Sequence, residues 1–199
     1  QTLLIDNLAP KTDQKTISEV KVQLGLGDSF VIGSFARYEM FSEEFLRLLD
    51  KILQNIKNTK VILAGTNDQS LARRVLKEHI ASGRVNILGP SKTAIIGYVC
   101  DVFLDTFPTV TGYAALESMA KGKPVLTLNC ENLQNYRENR LEELIFNSKD
   151  DLAAELALLA VDANRYQKLS MASKNFMLKI ENLDELTNAL LSQLKITST

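Results

Sequence analysis

Short apolar runs alternate with stretches of helical period along most of the chain. Phe30-Val31-Ile32-Gly33-Ser34 is β-branched and aromatic and closes on small residues, which predicts a buried strand. Ser42-Glu43-Glu44 opens a helix with acids near the positive end of its dipole. Phe45, Leu48, Leu49, Ile52, Leu53 and Ile56 then share one face of that helix. The alternation repeats, with strands over 61–65, 84–89, 102–104, 124–128 and 144–146. Between them lie a helix capped by Asn67-Asp68 that carries Leu71, Val75 and Leu76, a short one over 91–98, and one over 112–121 stopped by Gly122. After Asn147 the pattern is helical only, over 150–160, 164–179 and 183–194, and each apolar face reads as core packing.

Strands that are apolar throughout and alternate with helices imply a parallel sheet covered on both faces. Right-handed crossovers then give an α/β, doubly wound, Rossmann-like sheet over residues 29–147, with ligand groups at the carboxyl ends of the strands. Residues 1–28 read as a lead-in with one helix around 14–24, and 148–199 as C-terminal helices packing on the same domain. There is no internal repeat and no low-complexity segment.

The chain has 199 residues and a formal net charge of −1, from 23 basic and 24 acidic side chains. That balance argues against a dedicated nucleic-acid or anionic-membrane binder, and no apolar run reaches the roughly 20 residues a bilayer span needs. Cys100 and Cys130 lie in apolar surroundings without C-x-x-C spacing, which reads as thiols of a reducing, cytoplasmic compartment. The lone histidine, His79, excludes a histidine-rich metal cage and reads as part of a solvated helix face. The chain begins at Gln1 without a signal-peptide pattern and is expected to be a piece of a larger protein.

Several chemistries lack their motifs. Gly25-Leu26-Gly27 precedes the first strand instead of following it, so it fails the dinucleotide-binding context. No G-x-x-x-x-G-K-[ST] loop, no G-x-S-x-G elbow and no D-x-D pair occurs, and metal-dependent catalysis is unsupported. Asp101 and Asp105, four apart across a predicted strand, are expected on one face.

The remaining signal follows the fourth strand. Asp101-Val102-Phe103-Leu104-Asp105-Thr106-Phe107-Pro108 leads into a polar, glycine-containing loop, then a helix through Glu117, then Gly122-Lys123-Pro124-Val125. A helix N-terminus delivered to the carboxyl edge of a parallel sheet presents free N–H groups to a phosphate. Glu117, one turn into the helix, reads either as a carboxylate that can bond a ribose diol or as a solvated side chain beside an ordinary helix cap.

These residues resemble the C-terminal, nucleotide-sugar-binding domain of GT-B glycosyltransferases, above all the bacterial relatives of O-GlcNAc transferase and allied protein glucosyltransferases. The resemblance covers roughly 30–130 and includes the Phe30 to Tyr38 strand and loop, Arg84-Val85 and Gly89. It implies that Glu117 holds the ribose hydroxyls of a UDP-sugar donor. The backbone at Gly112, Tyr113 and Ala114, with the hydroxyls of Thr109 and Thr111, meets the diphosphate. It also implies that Arg37 neutralises charge on the leaving nucleotide, a major catalytic effect, and that Gly89-Pro90-Ser91 receives the base. Asp105 is expected to position the loop by hydrogen bonds. No further cofactor or metal is implied. Acceptor, whether protein, lipid or glycan, and any general base belong to an N-terminal domain that this chain lacks, so this chain alone is expected to bind weakly and turn nothing over.

Two positions depart from the family pattern. Where relatives carry a lysine after the aromatic matching Tyr38, this chain has Glu39, so either Arg37 substitutes or the site is weakened. The retaining branch carries two glutamates eight positions apart, and eight before Glu117 stands Thr109, which favours an inverting enzyme. Two alternatives stay open: a non-catalytic binding module of the same fold, and half of a sugar-nucleotide epimerase, against which the single histidine argues. A receiver domain is disfavoured because no acidic pair ends the first strand at Gly33-Ser34.

Overall fold

The computed structural model describes residues 4–196; the outermost ends of the expected lead-in and C-terminal helices, 1–3 and 197–199, lie outside the described residues. Six strands form one parallel sheet: β1 (Phe30–Phe35), β2 (Thr59–Ala64), β3 (Val85–Leu88), β4 (Val102–Leu104), β5 (Val125–Leu128) and β6 (Ile145–Phe146). Their order is β3-β2-β1-β4-β5-β6, with Ile32 of β1 level with Val61 of β2 and Val102 of β4. The chain winds outward from β1 to β3, returns to β4 beside β1, and winds outward again. This is the doubly wound arrangement the apolar runs predicted, and its switch point lies between β1 and β4.

The helices described are α1 (Leu4–Leu8), α2 (Gln14–Gln23), α3 (Glu43–Asn55), α4 (Ser70–Val75), α5 (Lys77–Ala81), α6 (Thr93–Val99), α7 (Tyr113–Ala120), α8 (Lys149–Leu159) and α9 (Ala163–Ile196). Residues of α3, α4, α5 and α8 pack with Ile32, Val61, Leu63, Val102, Leu104 and Leu126 in one core layer. On the other face α1, α2, α6 and α7 pack with Val31, Ile62, Phe103 and Val125. Alternate residues of each strand thus reach opposite layers, which is why the strands read as unbroken apolar runs. α9 joins the layers: Leu169 belongs to the first and Met177 to the second.

α3 shows how the sequence builds one of these elements. Ser42 Oγ accepts from the Phe45 N–H (3.1 Å) and donates to the Phe107 carbonyl (2.7 Å), capping the helix and tying it to the exit of β4. Phe45, Leu46, Leu48, Leu49, Ile52 and Leu53 are buried, each adding about 1.5–3 kcal/mol of transfer free energy. Tyr38, Phe41, Phe45 and Phe107 form a line of ring contacts 5.1–5.6 Å apart beneath the carboxyl edge of the sheet.

Several expectations are corrected. The helix read over 67–76 stops at Val75, and a second short helix, α5, follows. His79 on α5 is not on a solvated face; its side chain is 13% exposed and its Nε2 lies 2.9 Å from Asp50 Oδ1. The two helices read over 164–179 and 183–194 are one backbone helix; neither Gly nor Pro interrupts it, and Glu181 near the expected break accepts from the Ile5 N–H at 3.1 Å. Side chains beyond Asn182 lie outside the described residues. β4 itself keeps the expected 102–104, with Asp101 before it, accepting from the Val31 N–H (2.7 Å), and Asp105 after it. Within 1–28, α1 was unforeseen, and Leu8 and Leu26 are fully buried in the second layer.

Candidate functional site

Three loops meet at the carboxyl ends of β1, β2 and β4. After β1 the chain passes Ala36-Arg37 into a short turn, while Tyr38 N–H donates to the Thr66 carbonyl (3.0 Å) and Tyr38 Oη to the Leu63 and Leu88 carbonyls (3.1 and 2.9 Å). The exits of β1 and β2 are therefore bound side by side. Gly65 makes that approach feasible, since a Cβ there would lie 1.7 Å from the Ala36 carbonyl oxygen.

The loop after β4 is organised by Asp105, a carboxylate with no exposed surface. Its Oδ1 accepts from the Thr106 N–H (3.0 Å) and from the N–H and hydroxyl of Thr111 (both 2.7 Å). Its Oδ2 accepts from Arg140 Nε (3.0 Å) and Nη2 (2.7 Å) and from the Thr127 hydroxyl (3.3 Å). Arg140, also buried, donates in addition to the Asn139 and Thr111 carbonyls. A carboxylate and a guanidinium out of water must be paired and hydrogen-bonded, and here both conditions hold. This network delivers the chain into α7 with no side-chain cap at Gly112, so the first N–H groups of α7 are left for another acceptor.

Between these loops lies a cleft of about 300 Å³, lined by Ala36, Arg37, Gly65, Thr66, Thr93, Tyr113, Ala114 and Glu117 among others. It brings together Arg37, Tyr113, Ala114 and Glu117, which the sequence singled out from regions 80 residues apart (117 − 37). Arg37 is exposed and forms no ion pair among the described residues. Glu117 Oε2 accepts from the Thr93 hydroxyl at 3.3 Å. Tyr113 is 59% exposed at the mouth. A groove of about 570 Å³ lies at the opposite, amino-terminal edge of the sheet, between Lys57, Asp101 and Tyr166. Size does not decide between the two: both hold a cation and a carboxylate, but only the smaller one lies at the carboxyl ends of the strands and receives the uncapped start of α7.

Other expected residues sit differently. The Thr111 hydroxyl is buried and engaged by Asp105, so it is not turned to the cleft; its contribution is to hold the loop. Thr109 is exposed, and its carbonyl accepts from the Thr106 hydroxyl at 2.5 Å. Ser91 Oγ donates to the Gly89 carbonyl (2.9 Å), and Gly89, Pro90 and Ser91 form the rim after β3 outside the residues lining the cleft. Glu39 is outside the residues lining the cleft and accepts from the amide of Asn67, whose backbone adopts φ 77°; its own backbone N–H and this bond hold the carboxyl below the usual range. Sequence reasoning missed Thr93 and Arg140. The only hint of Arg140 was the need of Asp105, at the end of a buried strand, for a countercharge.

The family described as Glycosyl transferases group 1 matches residues 29–162. The chain belongs to that family. Its sheet and flanking helices form the Rossmann-like half of the GT-B fold. Alpha-monoglucosyldiacylglycerol synthase of Streptococcus pneumoniae (strain ATCC BAA-255 / R6) is 24% identical over 184 residues, 87% of this chain and 41% of that protein. Among solved structures, Anabaena Alr3699/HepE in complex with UDP and glucose superposes with a TM-score of 0.75 at 20% identity, over 95% of this chain and 54% of that one. A mutant O-GlcNAc transferase of Thermobaculum terrenum superposes with a TM-score of 0.65 at 24% identity, over 77% and 32%. The chain thus spans about half or less of the length of these relatives.

Proposed function

We propose that this chain is the donor-binding half of a glycosyltransferase and takes a UDP-sugar in the cleft at the β1–β4 switch point. One observation carries the reading: the uncapped start of α7, Glu117 and the unpaired Arg37 converge on one cleft. In this reading the N–H groups at Gly112, Tyr113 and Ala114 receive the diphosphate, with Thr109 at its edge. Glu117 accepts from the ribose hydroxyls, and the rim at Gly89 to Ser91 borders the base. Arg37 meets the charge that grows on the leaving diphosphate, where a preorganised cation stabilises the transition state more than the ground state. The UDP bound to Alr3699/HepE, a relative in fold, supports the choice of nucleotide.

The metal-independent part of the proposal draws on the donors present: among the described residues no three His, Cys, Asp or Glu side chains are grouped to hold a metal ion. Inversion is proposed because Thr109 puts a hydroxyl where a second acid would be needed on this lobe; the anomeric configuration of product reads it directly. The acceptor and any general base are assigned to a second lobe outside this chain. The free thiols of Cys100 and Cys130 fit a cytoplasmic site of action. No described helix is long and apolar enough to cross a membrane.

Calorimetric or NMR titration with UDP, CDP and GDP, without metal, tests the reading. Selective UDP binding that Glu117→Ala abolishes is expected. Absence of binding at millimolar nucleotide would refute it. Glu39 favours a second reading, a binding module without turnover; nucleotide binding that never yields transfer once the second lobe is supplied is its signature.

A further inference from the structure

Glu117 does not stand alone in the cleft. Thr93, the first residue of α6, donates its hydroxyl to Glu117 Oε2 at 3.3 Å, and its N–H donates to the Ser91 carbonyl at 2.8 Å. A chain of bonds therefore runs from the rim after β3 to the acid on α7. From the far side Lys121 Nζ donates to the Glu117 carbonyl (3.1 Å) and to the Leu8 carbonyl (2.7 Å), holding the backbone that carries the acid. The proposed function gives Glu117 a ligand but leaves open what aims its carboxylate.

We infer that Thr93 is a specificity-determining positioning residue, which orients Glu117 towards a ribose diol so that the site separates ribonucleotide from deoxyribonucleotide donors. The inference rests on the reading above that Glu117 meets ribose. A glutamate on a helix rotates about three side-chain bonds, and ordering it only when ligand arrives costs entropy. One hydrogen bond to Oε2 removes much of that freedom in advance. A carboxylate has about four acceptor positions, so Thr93 leaves Oε1 and the second lone pair of Oε2 open to two hydroxyls. A β-branched side chain also suits the task, because its χ1 is restricted and the hydroxyl keeps its direction. Thr93 and Glu117 both line the cleft and are partly buried, so the bond is shielded from competing water.

A role confined to joining α6 to α7 makes a different prediction, since it would weaken every nucleotide alike. The experiment titrates the chain with UDP and with 2′-deoxy-UDP, for the wild type, Thr93→Val, Thr93→Ser and Glu117→Ala, with a thermal melt of each. The wild type is expected to prefer UDP by about tenfold, the loss that follows when a charged acceptor is left unpaired. Thr93→Val, isosteric and without the hydroxyl, brings the preference to within about twofold of unity, and Thr93→Ser keeps it. If Thr93→Val lowers both affinities but preserves their ratio, or if Thr93→Ser loses the ratio as valine does, the inference is overturned while the reading of Glu117 stands. If the wild type shows no preference, or Glu117→Ala leaves the preference intact, the ribose role of Glu117 fails and the inference falls with it.

Discussion

Arg140→Met tests how the loop before α7 is held. The Arg140 and Asp105 side chains are 1% and 0% exposed, so no solvent screens the charge left behind. Removing one partner of a buried pair costs about 3–5 kcal/mol, because the other charge stays desolvated. Asp105 keeps four neutral donors in this variant, the N–H groups of Thr106 and Thr111 and the hydroxyls of Thr111 and Thr127, which places the loss near the lower end. The Thr111 and Asn139 carbonyls also lose their donor. About 3 kcal/mol is a large part of the ~5–15 kcal/mol expected of a folded domain, yet leaves it folded. At this chain length it lowers the melting midpoint by about 10 °C. Urea unfolding followed by circular dichroism reads the loss for Arg140→Met, Asp105→Asn and the double variant. The double variant buries no charge and is expected to lose at least about 1 kcal/mol less than the sum of the singles. UDP affinity should fall in Arg140→Met as the start of α7 loosens. A loss below about 1 kcal/mol, or strict additivity in the cycle, would refute the claim that this pair organises the loop.

Three further outcomes follow from the same geometry. In Gly65→Ala the new Cβ meets the Ala36 carbonyl at 1.7 Å, so the exits of β1 and β2 must part; a loss of about 2–3 kcal/mol and of UDP binding through displaced Arg37 is expected, and an unchanged melt counts against it. Glu39→Lys reverses a charge at the rim and should tighten UDP by about fivefold at low salt, with the gain shrinking as ionic strength rises; a salt-independent effect would mean the charge acts by some route other than its field. Burial pushes the Tyr38 and Tyr166 hydroxyls and the Cys100 thiol up to about 12, above their unfolded values near pH 9–10. Their stabilisation is complete below those unfolded values and is lost as pH rises towards 12, by up to about 1.4 kcal/mol per pH unit for each group. Lys121 and Lys123, lowered by burial, act with the opposite sign and are spent above about pH 10.5. Urea midpoints should therefore fall between pH 10.5 and 11.5, less steeply in Tyr166→Phe, and a flat profile would contradict the burial of these groups.

The sheet was legible because a strand covered on both faces has no polar alternation to blur it. Val31, Ile32 and Phe35 feed two core layers at once, and the apolar run records both. Helices were legible where a cap or a stop marked them, as at Ser42 and at Gly122, whose φ of 74° and bond to the Met119 carbonyl end α7. The two short helices after Gln69 and the unbroken α9 were not, since the turn at Leu76 and the packing of Glu181 on the N-terminal segment are tertiary effects. The site divides along the same line. Glu117 and the start of α7 could be named from types and spacing, because loops at the carboxyl ends of parallel strands converge whatever their separation in sequence, whereas Arg37 was named only through the family resemblance.

Direction was the hidden quantity. Thr109 and Thr111 are two residues apart and chemically alike, yet one is exposed and the other is buried on Asp105. The difference comes from Arg140, in a stretch whose polar letters look like solvated surface. A buried guanidinium is spelled like an exposed one, and only the carboxylate it must neutralise tells them apart. Glu39 makes the same point with the opposite outcome. By type it opposes an anionic ligand, but Asn67, held in a left-handed conformation 28 residues away, donates to its carboxylate and engages it. Arg37 then remains the unpaired cation of the cleft. The field at the proposed phosphate position depends on that third residue as much as on the two charges. Asn67→Ala in the wild-type background should therefore weaken UDP binding, and in Glu39→Gln should leave it unchanged.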